Sequence, residues 1–456
     1  MTVIICLAIG WLCFIIYNRK KGYSFRDLLT FSWKGILGAK VVLLTLALVG
    51  VLTGLWRSAG TIAYIVTVSI SLVQPNILLL CIFLLNALVS FLIGTSFGTA
   101  ATMGVICMIL ANAAGFSPVL SGGAVLSGIF FGDRCSPVSS SAVLVASVTK
   151  TDLYDNLKNM FLSARVPFTL TCIIYLVMGF LTGKSGSDAV AALPDFSVEF
   201  HLVPATLLPA IIVLVLALFR VNVRTAILIS CVAAAFVCLF VQGQSLAFLG
   251  KTILFGFTPG HEELVKLIGG GGLLSMKRVL CIVGISSTYS GMIKNTDMAD
   301  QLSHLANQMH ERFSRIGCMT IVSIISSMIG CNQTLAIMLT EQFCESLYVG
   351  GDSASEVQHS NQNQGSTLNN THNSNNNPRY DICEDNSRSI SDVEDNARAV
   401  FANDIEDTVV VISPMIPWCI AGAVPIAAIG APATCLFAAC YLYLIPVCRY
   451  FDQRKY

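Results

Sequence analysis

Hydrophobic residues dominate this chain in long runs, and short polar segments separate them. A helix needs about 20 apolar residues to cross a bilayer, and most of the runs approach or exceed that length. Several longer runs contain Gly, Pro, Ser or Thr clusters, so they predict hairpins or broken helices and roughly ten to twelve passes in total. The runs are 3–17, 41–73, 77–112, 118–149, 161–182, 203–219, 225–243, 279–293, 317–340 and 408–447.

The order of polar landmarks repeats in two halves. Small polar residues interrupt the apolar runs at 94–100 and again at 330–334. A carboxylate ahead of a Ser-Pro pair follows in each half: Asp133 in the first, and Glu406 with Asp407 in the second. Basic residues flank matching spans at opposite ends, and basic loops are typically cytoplasmic. The pattern predicts an all-α polytopic membrane protein built from two inverted repeats with interrupted helices.

One polar stretch separates the first part of the second repeat from its last part. Residues 349–396 are of low complexity and have too few apolar groups to pack, so we expect neither structure nor a role in transport there. The predicted segments are a first transmembrane repeat at 1–182, a connecting loop at 183–202, the first part of the second repeat at 203–348, the polar insert at 349–396, the last part of that repeat at 397–447, and a cytoplasmic tail at 448–456.

Composition supports a multi-pass protein of the cell membrane. The chain is 55% hydrophobic and 12% charged, against about a quarter charged in soluble domains. Its net charge of +1 gives no basic face for nucleic acid. The 17 cysteines contain no CxxC pair, and many lie inside apolar runs, so a metal site or disulfide framework is not indicated. We expect no cofactor and no enzymatic activity.

An ionisable pair lies in the middle of a strongly apolar region. Asp133 and Arg134 are expected at membrane depth, where a charged side chain is unfavourable and marks an ion or substrate pathway. Gly132 and Pro137 break the helix at the same place. Irregular backbone at that depth is tolerated only where protein or water surrounds it. The stretch therefore predicts an interrupted helix that lines a polar site.

Six short motifs follow one another along the chain: Gly54-Leu-Trp-Arg-Ser-Ala-Gly-Thr61, Gly94-Thr-Ser-Phe-Gly-Thr99, Phe131-Gly-Asp-Arg-Cys-Ser-Pro137, Thr151-Asp-Leu-Tyr-Asp-Asn156, Glu406-Asp-Thr408 and Ser413-Pro-Met-Ile-Pro-Trp418. Taken in this order, they resemble the NhaC family of sodium/proton antiporters, part of a wider superfamily of secondary carriers. The resemblance implies exchange of Na⁺ for H⁺ by alternating access, with related members exchanging carboxylates such as malate and lactate.

Oxygen-bearing side chains at the predicted breaks are candidate ion ligands, because Na⁺ is a hard cation. Small polar residues also serve as packing contacts between membrane helices, which is the alternative for each hydroxyl. We expect Asp133 to be the coupling carboxylate. The candidates are Thr95, Ser96, Thr99, Asp133, Ser136, Ser139 and Ser140 in the first half, and Asn332, Thr334, Glu406, Asp407, Thr408 and Ser413 in the second.

The charged candidates leave alternatives open. Glu406 and Asp407 are adjacent and point to different helix faces, so one is expected to reach the cavity and the other to cap a helix start. Arg134 or Arg57 is a possible counter-charge for Asp133, and a structural ion pair is the alternative reading of that acid. The same arginines would hold the carboxylate if the substrate were a small organic anion, such as malate, lactate or an amino acid.

Two further hypotheses concern the type of transport and the oligomeric state. A channel is the third functional hypothesis, but channels build their filters by symmetry and the sequence shows no filter-like segment. A homodimer is compatible with the sequence.

The chain departs from the family pattern at one position. The family usually continues Ser-Pro-x-Ser-Asp-Thr, whereas Ser140 stands here where the second acid belongs. Ser140→Asp should raise cation affinity or shift its pH optimum, because it restores a carboxylate beside the break. The half-saturating Na⁺ concentration, measured across a pH series in reconstituted vesicles, tests this. Identical curves for both proteins would mean that this departure does not set selectivity.

Overall fold

The described part of the chain is helical. The computed structural model describes residues 2–452 except for 73, 138, 183–195, 220, 262–263, 266–267, 297–313 and 349–382. Within these residues the β-type pairing is an isolated bridge between Phe257 and Gly270. The all-α prediction is confirmed.

The first half contains ten α-helices in the described residues. They are α1 (Thr2–Lys20), α2 (Phe25–Gly38), α3 (Lys40–Ser58), α4 (Thr61–Leu72), α5 (Pro75–Ile93), α6 (Ser96–Thr99), α7 (Val105–Ala113), α8 (Pro118–Cys135), α9 (Ser140–Thr149) and α10 (Leu153–Thr182). A π-helical turn at Ala100–Gly104 joins α6 to α7.

The second half follows after short 3₁₀ turns at Phe196–Val198 and Pro204–Leu207. Its helices are α11 (Leu208–Leu218), α12 (Val223–Phe236), α13 (Leu246–Phe255), α14 (Lys277–Lys294), α15 (Arg315–Gly330), α16 (Gln333–Cys344), α17 (Cys383–Asp407), α18 (Val409–Ile412), α19 (Ile420–Ala428) and α20 (Cys440–Asp452). Further 3₁₀ turns lie at Leu273–Met276, Glu345–Leu347, Ser413–Met415 and Ala433–Ala438.

Five described segments are long and apolar enough to cross a membrane, and a bent pair adds a sixth. The pair comprises 394–415 and 420–428, with an angle of 56° between its parts. Shorter apolar helices such as α9, α13 and α15 accompany them. The chain is therefore a multi-pass membrane protein, while the total of ten to twelve passes stays a prediction. The five segments are Lys40–Ser58, Asn76–Ile93, Ser96–Ala113, Leu153–Thr182 and Arg224–Val241.

The helix interruptions expected from the small polar clusters are present in both halves. α5 ends at Gly94, whose φ of 73° is left-handed, and Thr95 caps α6. α15 ends at Cys331, also left-handed with φ 52°, and Asn332 caps α16. Because α15 and α16 pack along each other, the chain turns back on itself at this second break.

Two further breaks lie next to each other in the interior. Arg134 at the end of α8 donates from Nε to the Glu406 carbonyl oxygen at the end of α17 (3.2 Å). Beyond these residues, α9 packs against α17, and α18 packs against α8. The α8–α9 and α17–α18 segments therefore pass each other in opposite directions, which is the arrangement that an inverted repeat predicts.

Glycines let α5 and α8 approach until their backbones touch. A Cβ added at Gly128 would lie 2.5 Å from the Phe83 carbonyl oxygen, and one added at Gly132 would lie 2.3 Å from the Phe91 backbone nitrogen. Small residues permit this close approach between membrane helices. The contact fixes the end of α8, and with it Asp133, against α5.

The glycine-rich loop 257–272 packs on α3 in its described part: Gly272 donates its N–H to the Gly50 carbonyl oxygen of α3 (2.8 Å), and Ile268 is buried. The structure corrects one segment prediction. The expectation of no structure throughout 349–396 is wrong at its end, because α17 already begins at Cys383. Residues 349–382 of that insert lie outside the described part.

We expect Gly128→Ala to lower the free energy of unfolding by about 1–3 kcal/mol, because the added methyl group overpacks the α5–α8 contact. Thermal unfolding in detergent, followed by circular dichroism, measures the change.

Gly250→Ala is the matched control. Gly250 lies inside α13 with nothing within 4 Å of an added Cβ, so the same substitution should stabilise the helix by up to about 1 kcal/mol. Equal destabilisation by both substitutions would contradict the packing explanation.

Candidate ion-binding site

Asp133 lies buried in the last turn of α8, facing groups from both breaks of the first half. Its carboxylate lies near the backbone N–H and the hydroxyl of Ser96, at the start of α6. Ser139 donates to Asp133 Oδ1 at 3.4 Å and also caps α9. The break thus surrounds one carboxylate with hydroxyl groups, which are ligands that suit a hard cation.

Glu406 is the second carboxylate at this place, and it comes from the other half. It is fully buried, and neither of its carboxylate oxygens has a hydrogen-bond partner among the described residues. It lies within electrostatic range of Asp133, Asp407 and Arg134. An unpaired buried carboxylate is strongly unfavourable unless it binds a proton or a cation. Glu406 is therefore a candidate to bind a proton or a cation.

Asp407 has a different role, because its charge is already compensated. It forms a direct ion pair with Arg134, and both side chains are fully buried. Ser163 of α10 donates to Asp407 Oδ1 at 3.1 Å. Asn403 donates to Oδ2 at 3.2 Å, and Arg449 Nε lies 3.7 Å from the same oxygen. A buried pair with this many partners holds its charges in place.

The structure corrects the expected counter-charges. Arg134 pairs with Asp407 and not with Asp133. Arg57 donates from Nη1 to the Gly269 carbonyl oxygen at 2.7 Å, so it anchors the glycine-rich loop. The expected helix cap is also wrong. Glu406 and Asp407 end α17 rather than begin a helix, because Thr408 leaves the helical conformation with φ −118° and ψ −84°.

The other first-half hydroxyls satisfy backbone groups at the breaks. Thr95 accepts the Gly98 N–H as the cap of α6, and Thr99 donates to the Thr95 carbonyl oxygen at 3.0 Å. Ser136 donates to the Phe91 carbonyl oxygen at 2.7 Å. These contacts hold Ser96 and Asp133 in position.

Thr408 and Ser413 are buried and join the broken helix to α15. Ser323 donates to Thr408 Oγ1 at 3.2 Å, and Ser327 lies 2.8 Å from Ser413 Oγ. The sequence analysis missed both α15 serines. Their spacing of four residues, which places them on one helix face, was the available signal.

Three predicted ligands do not join the cluster around Asp133. Ser140 is exposed, whereas its neighbour Ser141 is buried and contacts Ser139 at 2.8 Å. Thr334 is exposed as well. Asn332 caps α16 and lines a separate cavity of about 210 Å³ together with two lysines of α2 and α14.

Helix α16 contacts the broken helix α17–α18 through a residue that was not predicted. Gln333 donates from Nε2 to the Val410 carbonyl oxygen at 3.0 Å. This amide therefore satisfies a backbone group of α18 close to the point where the helix is interrupted.

A second, partly buried ion pair was also missed. Arg449 of α20 donates from Nε to Asp404 Oδ1 at 2.6 Å, and the Tyr348 hydroxyl donates to Asp404 Oδ2 at 2.7 Å. The sequence analysis assigned Arg449 to a cytoplasmic tail, yet α20 continues to Asp452 and its arginine turns inward.

The sequence profile of the Na⁺/H⁺ antiporter family matches residues 128–368, which is more than half of the chain and includes Asp133. The chain belongs to the Na⁺/H⁺ antiporter family. The resemblance to NhaC proteins is thereby confirmed.

Relatives of this antiporter carry several transport names. The malate-2H⁺/Na⁺-lactate antiporter of Bacillus subtilis is 25% identical over 76% of each chain. The Na⁺/H⁺ antiporter NhaC of Alkalihalophilus pseudofirmus is 27% identical over 76% of each chain. The arginine/ornithine antiporter ArcD of Halobacterium salinarum is 24% identical over 68% of this chain and 64% of its own.

The two adjacent acids should respond differently to neutralisation. Asp407→Asn should lower the free energy of unfolding by about 3–5 kcal/mol, because it leaves Arg134 buried without its partner. Glu406→Gln should change it by less than about 1 kcal/mol, because it replaces a carboxyl group that forms no hydrogen bond in the described part.

Thermal unfolding of the two variants in the same detergent compares them directly. A larger loss of stability for Glu406→Gln than for Asp407→Asn would contradict this assignment of roles.

Proposed function

We propose that this antiporter exchanges Na⁺ for H⁺ across the cell membrane by alternating access, with Asp133 and Glu406 as the two carboxylates of one shared site. One observation carries the proposal: both acids are buried at the ends of broken helices from the two halves, and Arg134, next to Asp133, donates to the Glu406 carbonyl oxygen at 3.2 Å. Membership in the Na⁺/H⁺ antiporter family supports the choice of exchanged species.

Competition for negative charge provides the coupling. Two buried carboxylates cannot both remain ionised without a compensating charge. Na⁺ supplies that charge when it binds to carboxylate and hydroxyl oxygens, here Asp133 with Ser96 and Ser139. Protonation removes the negative charge and releases the cation. Deprotonation toward the opposite side restores the site.

The surrounding polar groups support this site by holding the breaks open. Ser136, Thr95 and Thr99 fix the first-half break, and Thr408 and Ser413 fix the second. Backbone carbonyls that the breaks release are further oxygen ligands available to a cation, as in other carriers with discontinuous helices.

A small organic anion is the alternative substrate, because a relative is named for malate and lactate. An anion would need a free guanidinium. The Arg134 donors are already directed at Asp407, Ser163 and the Glu406 carbonyl oxygen. This commitment favours a cation at the buried site.

Transport measurements in proteoliposomes distinguish the two substrates. Vesicles loaded with a pH-sensitive dye and given an acidic interior should lose their pH gradient when Na⁺ alone is added outside. If malate, lactate or an amino acid is required for the dye response, the anion exchanger is the correct function. Saturating flux with counterflow would exclude a channel.

Asp133→Asn should abolish Na⁺-dependent proton movement in this assay, because the amide binds neither the proton nor the cation as a charged group. Folding should be preserved, since the amide keeps the shape of the side chain. Asp155→Asn is the matched control: Asp155 is an exposed acid on α10 that pairs with Lys158, and its loss should leave exchange unchanged. Wild-type exchange by Asp133→Asn would remove this residue from the mechanism.

A further inference from the structure

A polar cleft opens beside the buried site, between α10, α17 and α20. Two adjoining cavities of about 310 and 340 Å³ form it. Both are lined by Ser163, Arg449 and Asp452, among others. None of these residues belongs to the Asp133–Glu406 site.

Asn403 lines this cleft and has a buried side-chain oxygen without a partner in the described part of the chain. The residue is 5% exposed and lines the cavity of about 310 Å³ with Ser163 and Arg449. Its Nδ2 donates to Asp407 Oδ2, but its Oδ1 has no hydrogen-bond partner among the described residues. A buried acceptor is unfavourable without a donor or a cation. The free carbonyl oxygen therefore indicates a bound ligand of the kind that oxygen attracts.

The inner end of the cleft is closed by the Arg134–Asp407 ion pair. Ser163 and Asn403 line the cleft and both donate to Asp407. On the far side of the pair, Arg134 donates to the carbonyl oxygen of Glu406. The pair thus separates the cleft from the carboxylate that exchanges its proton.

The charges of the cleft favour a cation. The acids at or beside it are Asp404, Asp407 and Asp452, and the guanidinium groups that pair with them belong to Arg134 and Arg449. Three carboxylates against two guanidinium groups leave one negative charge. A net negative lining concentrates cations.

We propose that this cleft is the aqueous entrance through which the exchanged cation reaches the buried site from the cytoplasmic face. The Asn403 Oδ1 atom is its first oxygen ligand, and the Arg134–Asp407 pair is the gate that must separate before the cation meets Glu406. The cytoplasmic assignment rests on Lys150 and Lys158 at the same end of α10. The identity of the cation rests on the proposed function, whereas the entrance itself does not.

Accessibility to a thiol reagent tests the entrance. The native Cys448 lines the outer part of the cleft, and Ser163→Cys adds a reporter at the inner part. Leu170→Cys is the matched control on α10, since Leu170 is 38% exposed on the apolar surface. The probe is a membrane-impermeant trimethylammonium methanethiosulfonate, applied to vesicles of each orientation, with the modified residue identified by mass spectrometry.

We expect both reporters to react at least about tenfold faster than the control, and only from the cytoplasmic side. The reason is that attack on the thiosulfonate, which forms a mixed disulfide and releases methanesulfinate, needs an accessible thiolate. Equal rates for the reporters and Leu170→Cys, or reaction from the opposite side, would overturn the entrance. This outcome is independent of which ion is exchanged, so it is distinguishable from failure of the Na⁺/H⁺ assay.

The gate is tested with a thiol beyond it. Ser139→Cys should resist the cytoplasmic reagent when Asp407 is present and should react in the Asp407→Asn background. Equal reactivity in both backgrounds would overturn the gate. Because Asp407→Asn can also prevent folding, Asn403→Leu provides a second variant.

Asn403→Leu removes the oxygen ligand at similar volume. It should slow reaction of the cysteine at position 163 with the cationic reagent but not with a neutral one, and should raise the half-saturating cytoplasmic Na⁺ concentration several-fold. If the charge preference and the Na⁺ dependence both stay unchanged, Asn403 is not a ligand of the entering cation.

Discussion

The structure depends on one fully buried ion pair, Arg134 with Asp407, which ties the two halves together. Burying two charges is unfavourable unless they face each other and their remaining donors and acceptors are satisfied. Here Ser163, Asn403 and the Glu406 carbonyl oxygen provide those contacts. The charge of one acid is compensated in this way, whereas its neighbour Glu406 has no hydrogen-bond partner for its carboxylate in the described part.

The helix breaks and the buried acid were predicted correctly because each depends on the residues of one short segment. An acid flanked by apolar runs and followed by proline has few explanations other than a broken helix in a membrane, so Asp133 and its break were predictable. The helix interruptions at Gly94 and near Asn332 were also predictable, because glycine and clustered hydroxyl residues weaken a helix locally.

Contacts between distant segments were not predictable in the same way. Arg134 and Asp407 are 273 positions apart. The sequence does not show which of the three nearby acids, Asp133, Glu406 or Asp407, pairs with this arginine. Side-chain direction was the other difficulty. Successive helical residues point about 100° apart, so a start displaced by one residue turns Ser141 inward and Ser140 outward. Gln333 and Thr334 show the same exchange at the start of α16.

The glycine contact between α5 and α8 also bears on insulation. Where two backbones touch at Gly128 and Gly132, no chain of water molecules fits between the helices, and a hydrogen ion has no hydrogen-bonded route along that seam. An antiporter dissipates its own driving gradient if ions slip past uncoupled. The residues without side chains therefore close this seam to a continuous file of water.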